Sequence, residues 1–272
     1  MNETENMTQA KFAGKVVWIT GASSGIGEAL ARRFARCGSR LILSSRREDE
    51  LKRVAALCSG AESVSVLPLD LSRPELMGDY VNEAIRLAGR IDVMVHNGGI
   101  GQRAFAAEAS YEVDDVIMRT NYLGPIALTK ALLPSMQERQ EGHFIVVTSV
   151  LGKLGLPGRS AYCASKHALH GFFDTLRSEL WKDNIRVTLV LPGWVRTNIS
   201  INALTAAGAP QRKMDRGTAA GFSPEFCAEK IVTAAQAGRD EINIVKWREN
   251  AALYLSRVAP GLLRRMIRGR EM

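Results

Sequence analysis

The sequence predicts a doubly wound α/β domain built on a parallel sheet of seven strands. Three observations carry this. Short apolar runs alternate with longer amphipathic stretches, the pattern of βαβ units. The first apolar run ends in a glycine-rich turn that opens directly into a helical pattern. No repeat, low-complexity tract or Pro/Gly-rich linker divides the 272 residues, and an α/β domain of that length buries a full core without staples.

Strands are expected at Lys15–Thr20, Arg40–Ser44, Ser63–Leu69, Ile91–Val95, His143–Ser149, Ile185–Leu191 and Glu241–Val245. Helices are expected at Gly25–Cys37, Arg47–Cys58, Pro74–Ala88, Tyr111–Arg139, Ser160–Lys182 and Pro224–Ala237. Right-handed crossovers then place helices on both faces of the sheet. Two segments break the alternation. Residues 198–222, rich in Ala, Gly and polar residues, follow the sixth strand, where a long insertion at the carboxyl edge of a parallel sheet forms a substrate lid. From Trp247 onward the chain reads as one or two short basic amphipathic helices broken at Pro260-Gly261. The expected organisation is one domain over 1–272, with a polar N-terminal extension (1–12), the lid (198–222) and a basic C-terminal extension (247–272).

Composition narrows the classes. A hydrophobic content of 46% with 24% charged residues is ordinary for a globular protein. Cys37, Cys58, Cys163 and Cys227 are scattered, with no CxxC pair and no metal-ligand spacing, so reduced thiols and no metal are expected. The first fifteen residues carry no apolar core of a leader peptide, and no apolar run reaches bilayer length, which makes the cytoplasm the expected address. Of the net charge of +8, the last 27 residues hold seven Lys/Arg against two Glu, a net +5. A chain-wide nucleic-acid surface is therefore not expected. The basic tail suits dimer packing or solvent first, and peripheral contact with anionic lipid second.

The turn Thr20-Gly21-Ala22-Ser23-Ser24-Gly25-Ile26-Gly27 sits between a strand and a helix. That context, with backbone able to approach a pyrophosphate and a helix N-terminus behind it, points to a dinucleotide held by Gly21, Ser23, Ser24, Gly25, Ile26 and Gly27. The second strand ends at Ser45-Arg46-Arg47, where an acidic residue would hydrogen-bond the ribose hydroxyls of NAD. Two arginines suit a 2′-phosphate instead, so the expected cofactor is NADP(H). Ser149 ends the fifth strand, and Tyr162 and Lys166 lie four apart on one face of the next helix. A cation near a phenol lowers its pKa, letting tyrosine exchange a proton with a carbonyl or alcohol oxygen that a serine hydroxyl holds in place.

Taken together, TGASSGIG at 20–27, Asn121, Ser149, Tyr162-Cys-Ala-Ser-Lys166 and Pro192-Gly193-x-Val195-x-Thr197 resemble the short-chain dehydrogenase/reductase family in its shorter, non-extended branch. The likeness covers about residues 13–245. It implies a Rossmann-type sheet, a nicotinamide cofactor, and a Ser149–Tyr162–Lys166 site completed by Asn121, which would bind a water linking Lys166 to solvent. It also implies that Tyr162 and Lys166 contact the nicotinamide ribose, that Asp70 and Leu71 line the adenine pocket, and that Asn97 and Gly98 meet the cofactor. Pro192, Gly193, Val195 and Thr197 would meet the carboxamide side.

Two departures stand out. The family's Asn-Asn-Ala-Gly is His96-Asn97-Gly98-Gly99 here, and His96 is read as a hydrogen-bonded structural residue. The tail runs past the usual end, which counts against the common homotetramer packing and leaves room for a helix-mediated homodimer; the expected assembly is a homodimer or homotetramer. Cys163, His167 and His170 are read as packing or surface residues, Trp181, Trp194 and Trp247 as packing anchors, and Phe172-Phe173 as a helix–helix contact. The expected activity is interconversion of an alcohol with a hydrophobic, steroid- or lipid-like ketone or aldehyde. A 3-oxoacyl-carrier-protein reductase is the alternative enzyme, and an NADP-sensing binding protein the alternative outside catalysis. Because the motifs end before the tail, truncation after Ala259 is expected to spare cofactor binding.

Overall fold

The strand β1 (Val16–Thr20) lies in the interior of the sheet, with all five residues buried. Its side chains alternate between two cores. Val17 and Ile19 join Leu41, Leu43 and Val95 on one face, while Val16 and Trp18 join Ile42, Met94 and Phe144 on the other. A strand apolar on both faces must be covered on both, which is why it reads as a continuous apolar run. The computed structural model describes residues 11–268. Of the expected polar extension only Lys11 and Phe12 fall among these; residues 1–10 and the last four of the tail lie outside the described residues. Phe12 is buried, edge-on to Phe34 with ring centroids 5.2 Å apart.

The remaining strands are β2 (Arg40–Ser44), β3 (Ser63–Val66), β4 (Val93–His96), β5 (Gly142–Val147), β6 (Ile185–Pro192) and β7 (Glu241–Ile244). All pair in parallel in the order β3-β2-β1-β4-β5-β6-β7. This is the expected Rossmann-type sheet. The helices are α1 (Gly25–Ala35), α2 (Glu48–Ala56), α3 (Met77–Ala88), α4 (Tyr111–Met118), α5 (Gly124–Arg139), α6 (Ser160–Glu179), α7 (Arg216–Ala219), α8 (Pro224–Gln236), α9 (Trp247–Val258) and α10 (Pro260–Ile267). Phe34 of α1 and Ile231 of α8 close one face; Val81 of α3, Leu128 of α5 and Phe173 of α6 close the other. The indole of Trp18 donates to Ser44 Oγ at 2.9 Å, and Ser44 donates on to Leu67 O at 2.6 Å, tying the three N-terminal strands together inside the core.

Of the boundaries that differ from expectation, three bear on the site. β3 ends at Val66 rather than Leu69, releasing Leu69, Asp70 and Leu71 to run along a cavity wall. β5 ends at Val147, and Ser149 caps a short 3-10 turn (Val150–Gly152). The single helix expected over Tyr111–Arg139 is two helices joined by a π-helical turn at Arg119–Leu123. The strand order reverses between β1 and β4, and ligands of doubly wound sheets bind outside the carboxyl ends of the strands at such a point. A cavity of about 1410 Å³ opens there, larger than an ordinary small-ligand pocket and roomy enough for a dinucleotide beside a substrate.

Candidate active site

The glycine turn forms the floor of this cavity. Gly21 has φ +65°, and a Cβ there would lie 2.7 Å from the Cα of Gly98. A Cβ on Gly27 would lie 2.2 Å from Gly21 O, so the first turn of α1 presses directly on the end of β1. Asn97 Nδ2 locks the turn by donating to Thr20 O (3.0 Å) and Gly21 O (3.2 Å), while the N–H groups of Asn97 and Gly98 both donate to Thr20 Oγ1 at 3.1 Å. Ser24 caps α1 without a side-chain bond, leaving first-turn N–H groups for an anion. Bare backbone, positive dipole and close strand–helix contact fit a dinucleotide pyrophosphate.

Beyond the turn, Ser45, Arg46 and Arg47 line the cavity, with both arginines exposed. Arg47 Nη2 donates to Ser23 Oγ at 3.2 Å, which holds one guanidinium beside the turn. Asp70 accepts from Ser72 N (2.9 Å) and Ser72 Oγ (2.8 Å), an Asx turn that shapes the opposite wall. Every residue expected at the cofactor lines the cavity except Gly27, which packs behind the turn.

Ser149, Tyr162 and Lys166 converge on the same cavity from β5 and α6. Ser149 Oγ accepts from Leu151 N at 3.1 Å and hydrogen-bonds the Tyr162 phenol. Lys166 is buried, donates to Val147 O at 3.0 Å, and lies 5.9 Å from the Tyr162 ring centroid. Burial lowers its pKa to about 8. One expectation needs correcting: burial pushes the Tyr162 phenol up, and the groups pulling it down are Ser149, Arg103 and Arg159 rather than Lys166. Desolvation of the ring outweighs a neighbouring ammonium that is itself desolvated and turned to a carbonyl.

Asn121 lies behind the cavity wall rather than in it. It is fully buried on the π-helical turn, accepting from Ile100 N (2.8 Å) and donating to Ile100 O (2.9 Å) and Ser165 Oγ (3.2 Å). A methyl group on Gly99 would lie 3.1 Å from Asn121 Oδ1 and 3.6 Å from Lys166 Nζ, so both atoms face the space beside that glycine. Single π turns in helices often mark functional sites, and here one turns Asn121 toward the lysine.

Other residues of the site were not singled out from the sequence. Gln102, fully buried, accepts from Ala161 N (2.9 Å) and Tyr162 N (3.4 Å), supplying the side-chain cap that Arg159 does not provide to α6. Arg103 and Arg159 both bond Asp215, which stands in the lid. Gln102 and Arg103 follow shortly after the His96-Asn97-Gly98-Gly99 stretch, but nothing local signalled their partners. Of the segment 198–222, Ile199, Asn202, Leu204 and Pro210 line the cavity.

The tail departs from expectation. Glu249, Leu255, Leu263 and Met266 line the cavity, and a Cβ on Gly193 would lie 3.3 Å from the Glu249 carboxyl carbon. The tail is thus part of the site wall and not an appendage remote from the cleft. Trp181 and Trp247 also depart, being 72% and 75% exposed instead of anchoring packing, whereas Trp194 lines the cavity beneath Arg159. Phe173 packs on the sheet, tilted against His96 and Phe144, with Phe172 edge-on beside it. Cys163 is buried and burial raises its thiol pKa, which fits a packing role. His170 is also buried; His167 is exposed and bonds Cys163 O.

Comparison with known proteins agrees with this geometry. Residues 15–207 match the family model described as short chain dehydrogenase. A "Dehydrogenase/reductase SDR family protein 7-like" of Anopheles gambiae is 46% identical over 255 residues, covering 92% of this chain and 80% of that protein. A short-chain dehydrogenase/reductase from Burkholderia phymatum, solved in complex with NAD, superposes with a TM-score of 0.82 at 26% identity, covering 92% of this chain and 95% of that one. An alcohol dehydrogenase from Thermococcus sibiricus, solved with 5-hydroxy-NADP, gives 0.72 at 28% identity over 84% and 95% of the two chains.

Proposed function

The chain belongs to the short-chain dehydrogenase/reductase family, an oxidoreductase family that uses a nicotinamide cofactor, and from that premise we propose that it is NADP(H)-dependent and interconverts an alcohol with a hydrophobic, steroid- or lipid-like ketone or aldehyde. The observation that carries the reading is the convergence of Ser149, Tyr162 and Lys166 on one cavity whose other end offers the glycine turn and Ser45-Arg46-Arg47. β2 runs into Ser45-Arg46-Arg47 with no carboxylate among them to claim two ribose hydroxyls, and the two guanidiniums suit a 2′-phosphate. The bound cofactor supplies or accepts the hydride. Ser149 holds the substrate oxygen through its hydroxyl. Tyr162 gives that oxygen its proton in reduction and takes it back in oxidation. Lys166 orients the ribose and passes protons, with Asn121 completing the path toward solvent through the space beside Gly99. Leu154, Leu156, Ile199, Leu255 and Leu263 supply the apolar walls that suit a lipid-like substrate.

The position of the tail supports a second reading. Arg248 lines the cavity, and Arg257, Arg264 and Arg265 are exposed on α9 and α10, a basic rim that would suit an acidic acyl carrier. The main reading has the protein working in the cytoplasm as a homodimer or homotetramer, with the same rim able to touch an anionic membrane. The test is a panel of hydrophobic ketones, free and carrier-linked, followed at 340 nm with NADPH and NADH. Oxidation of NADPH with free ketones, and slower oxidation of NADH, is expected. Equal use of the two cofactors would overturn the NADP(H) assignment, and turnover confined to carrier-linked substrates would favour the second reading.

A further inference from the structure

Arg103 and Arg159 are buried in the wall of the cavity, with side chains only 10% and 8% exposed. They share a single carboxylate. Asp215 Oδ2 takes bonds from Arg103 Nε (2.8 Å), Arg103 Nη2 and Arg159 Nη2 (3.2 Å), while Asp215 Oδ1 accepts from Gln211 Nε2 at 3.2 Å. Arg103 spends another N–H on Gln102 O. Arg159 lies 5.4 Å from the centroid of the Trp194 ring, a soft face that supports a guanidinium but does not neutralise it. Two cations against one anion leave this cluster one positive charge in excess, and an uncompensated buried charge is costly. Pinning the lid through Asp215 needs only one of the arginines. The second has no structural employment that matches its cost.

The cluster is also close to the chemistry. Arg159 precedes Tyr162 by three residues at the start of α6, and the fields of both guanidiniums reach the Tyr162 phenol. It stands apart from Arg46 and Arg47, which follow β2, two strands away from β4 in the sheet and on the other side of the switch point. We propose that Arg159, backed by Arg103, binds an anionic group, a carboxylate or a phosphate, carried by the substrate near its reacting carbonyl. The substrate is then an amphiphile, its anionic end on the arginines and its apolar body against Leu154, Leu156, Ile199 and Leu263. This rests on the reading that Tyr162 serves a carbonyl in this cavity. Asp215 acts as an internal stand-in for part of that anion's charge.

The test uses the full chain with NADPH and two matched pairs: 4-oxododecanoate against its methyl ester, and 2-oxododecyl phosphate against 1-hydroxydodecan-2-one. The anionic member of at least one pair should have a kcat/KM about tenfold or more above its neutral partner, and the pair that shows it identifies carboxylate or phosphate. Arg159→Met should collapse that ratio about tenfold. Asp215→Asn should raise the ratio, since it frees both guanidiniums, whereas mere loosening of the lid would harm both members alike. A wild-type ratio near one, or equal losses for both members in Arg159→Met, would overturn the proposal. Dodecanoate binding, read by quenching of Trp194 fluorescence with Trp194→Phe as control, separates the two readings. Quenching by dodecanoate but not by its methyl ester, lost in Arg159→Met, would uphold the anion site even if no ketone were turned over. Turnover of neutral ketones without anion preference would leave the activity standing and remove the anion site.

Discussion

Three buried histidines share one arrangement. His96 Nε2 meets Thr129 Oγ1 at 2.8 Å, His143 Nε2 meets Thr188 Oγ1 at 2.9 Å, and His170 Nε2 meets Thr148 Oγ1 at 3.1 Å. Each threonine donates its own proton to a backbone carbonyl, of Pro125, Arg239 and Val190 respectively. The threonine oxygen is therefore an acceptor toward the ring, which assigns the proton to Nε2 in all three. His96, stacked on Phe144 with planes 7° apart, is the structural residue its sequence context suggested. Burial holds the three imidazoles neutral, with pKa values of about 3, 3 and 4. These lie below the value of about 6.5 in the unfolded chain, which therefore binds more protons between the two. Their contribution to stability is complete above about pH 6.5 and is lost as pH falls toward the folded values, at a limiting slope of about 4 kcal/mol per pH unit for three protons. Urea unfolding at pH 7.5, 6.5 and 5.5 should show this fall, and His143→Gln should remove about a third of the slope; a flat profile would contradict it. At the cofactor, Arg46→Ala should weaken NADPH binding by about one to two decades and NADH binding far less, by fluorescence titration. Such single-residue roles were legible where a motif framed them. Arg159 and Asp215 were not, because 56 residues separate two side chains that only the fold brings together.

Among the elements, the periodic ones were legible and the breaks were not. All seven strands were expected because β-branched apolar runs of their length have few other uses. The π-helical turn at Arg119–Leu123 was hidden, since apolar spacing continues through it from Val113 and Ile117 to Leu128. Gly124-Pro125 was the available signal, because proline favours the first turn of a helix, although α5 also accommodates Pro134 further along. The start of α6 depends on Gln102, a residue 59 positions away from the N–H that it caps. Gln102→Ala leaves Ala161 N and Tyr162 N without their acceptor and should cost about 1–2 kcal/mol in stability. Because those N–H groups adjoin the phenol, kcat should fall more than the melting temperature alone suggests. Unchanged kcat together with unchanged thermal unfolding would show that α6 is capped adequately without it.

On the scale of the whole molecule, one sheet brings the glycine turn and the group Ser149, Tyr162 and Lys166 to the same cavity, and the segment 198–222 and the tail wall it in. The alternation and the crossover rule foretold a doubly wound sheet with helices on both faces, while the strand order, and with it the switch point, is read from the structure. The tail was misjudged because amphipathicity reveals an apolar face without revealing what it covers. It covers the site: Leu253 and Leu263 are buried, and Leu263 faces the cavity. Truncation after Ala259 removes α10 and should raise KM for a hydrophobic ketone by about tenfold, the worth of one lost leucine contact, with a smaller change in NADPH affinity. An unchanged KM would return the tail to the role of a separable appendage. The account as a whole stands on Tyr162 as the proton donor. The most direct measurement is turnover and NADPH binding of Tyr162→Phe, which deletes one hydroxyl and nothing else. The protein should fold, bind NADPH with near wild-type affinity, and lose about 10²–10⁴ in kcat. A Tyr162→Phe protein that reduces its best ketone at near wild-type rate would contradict it.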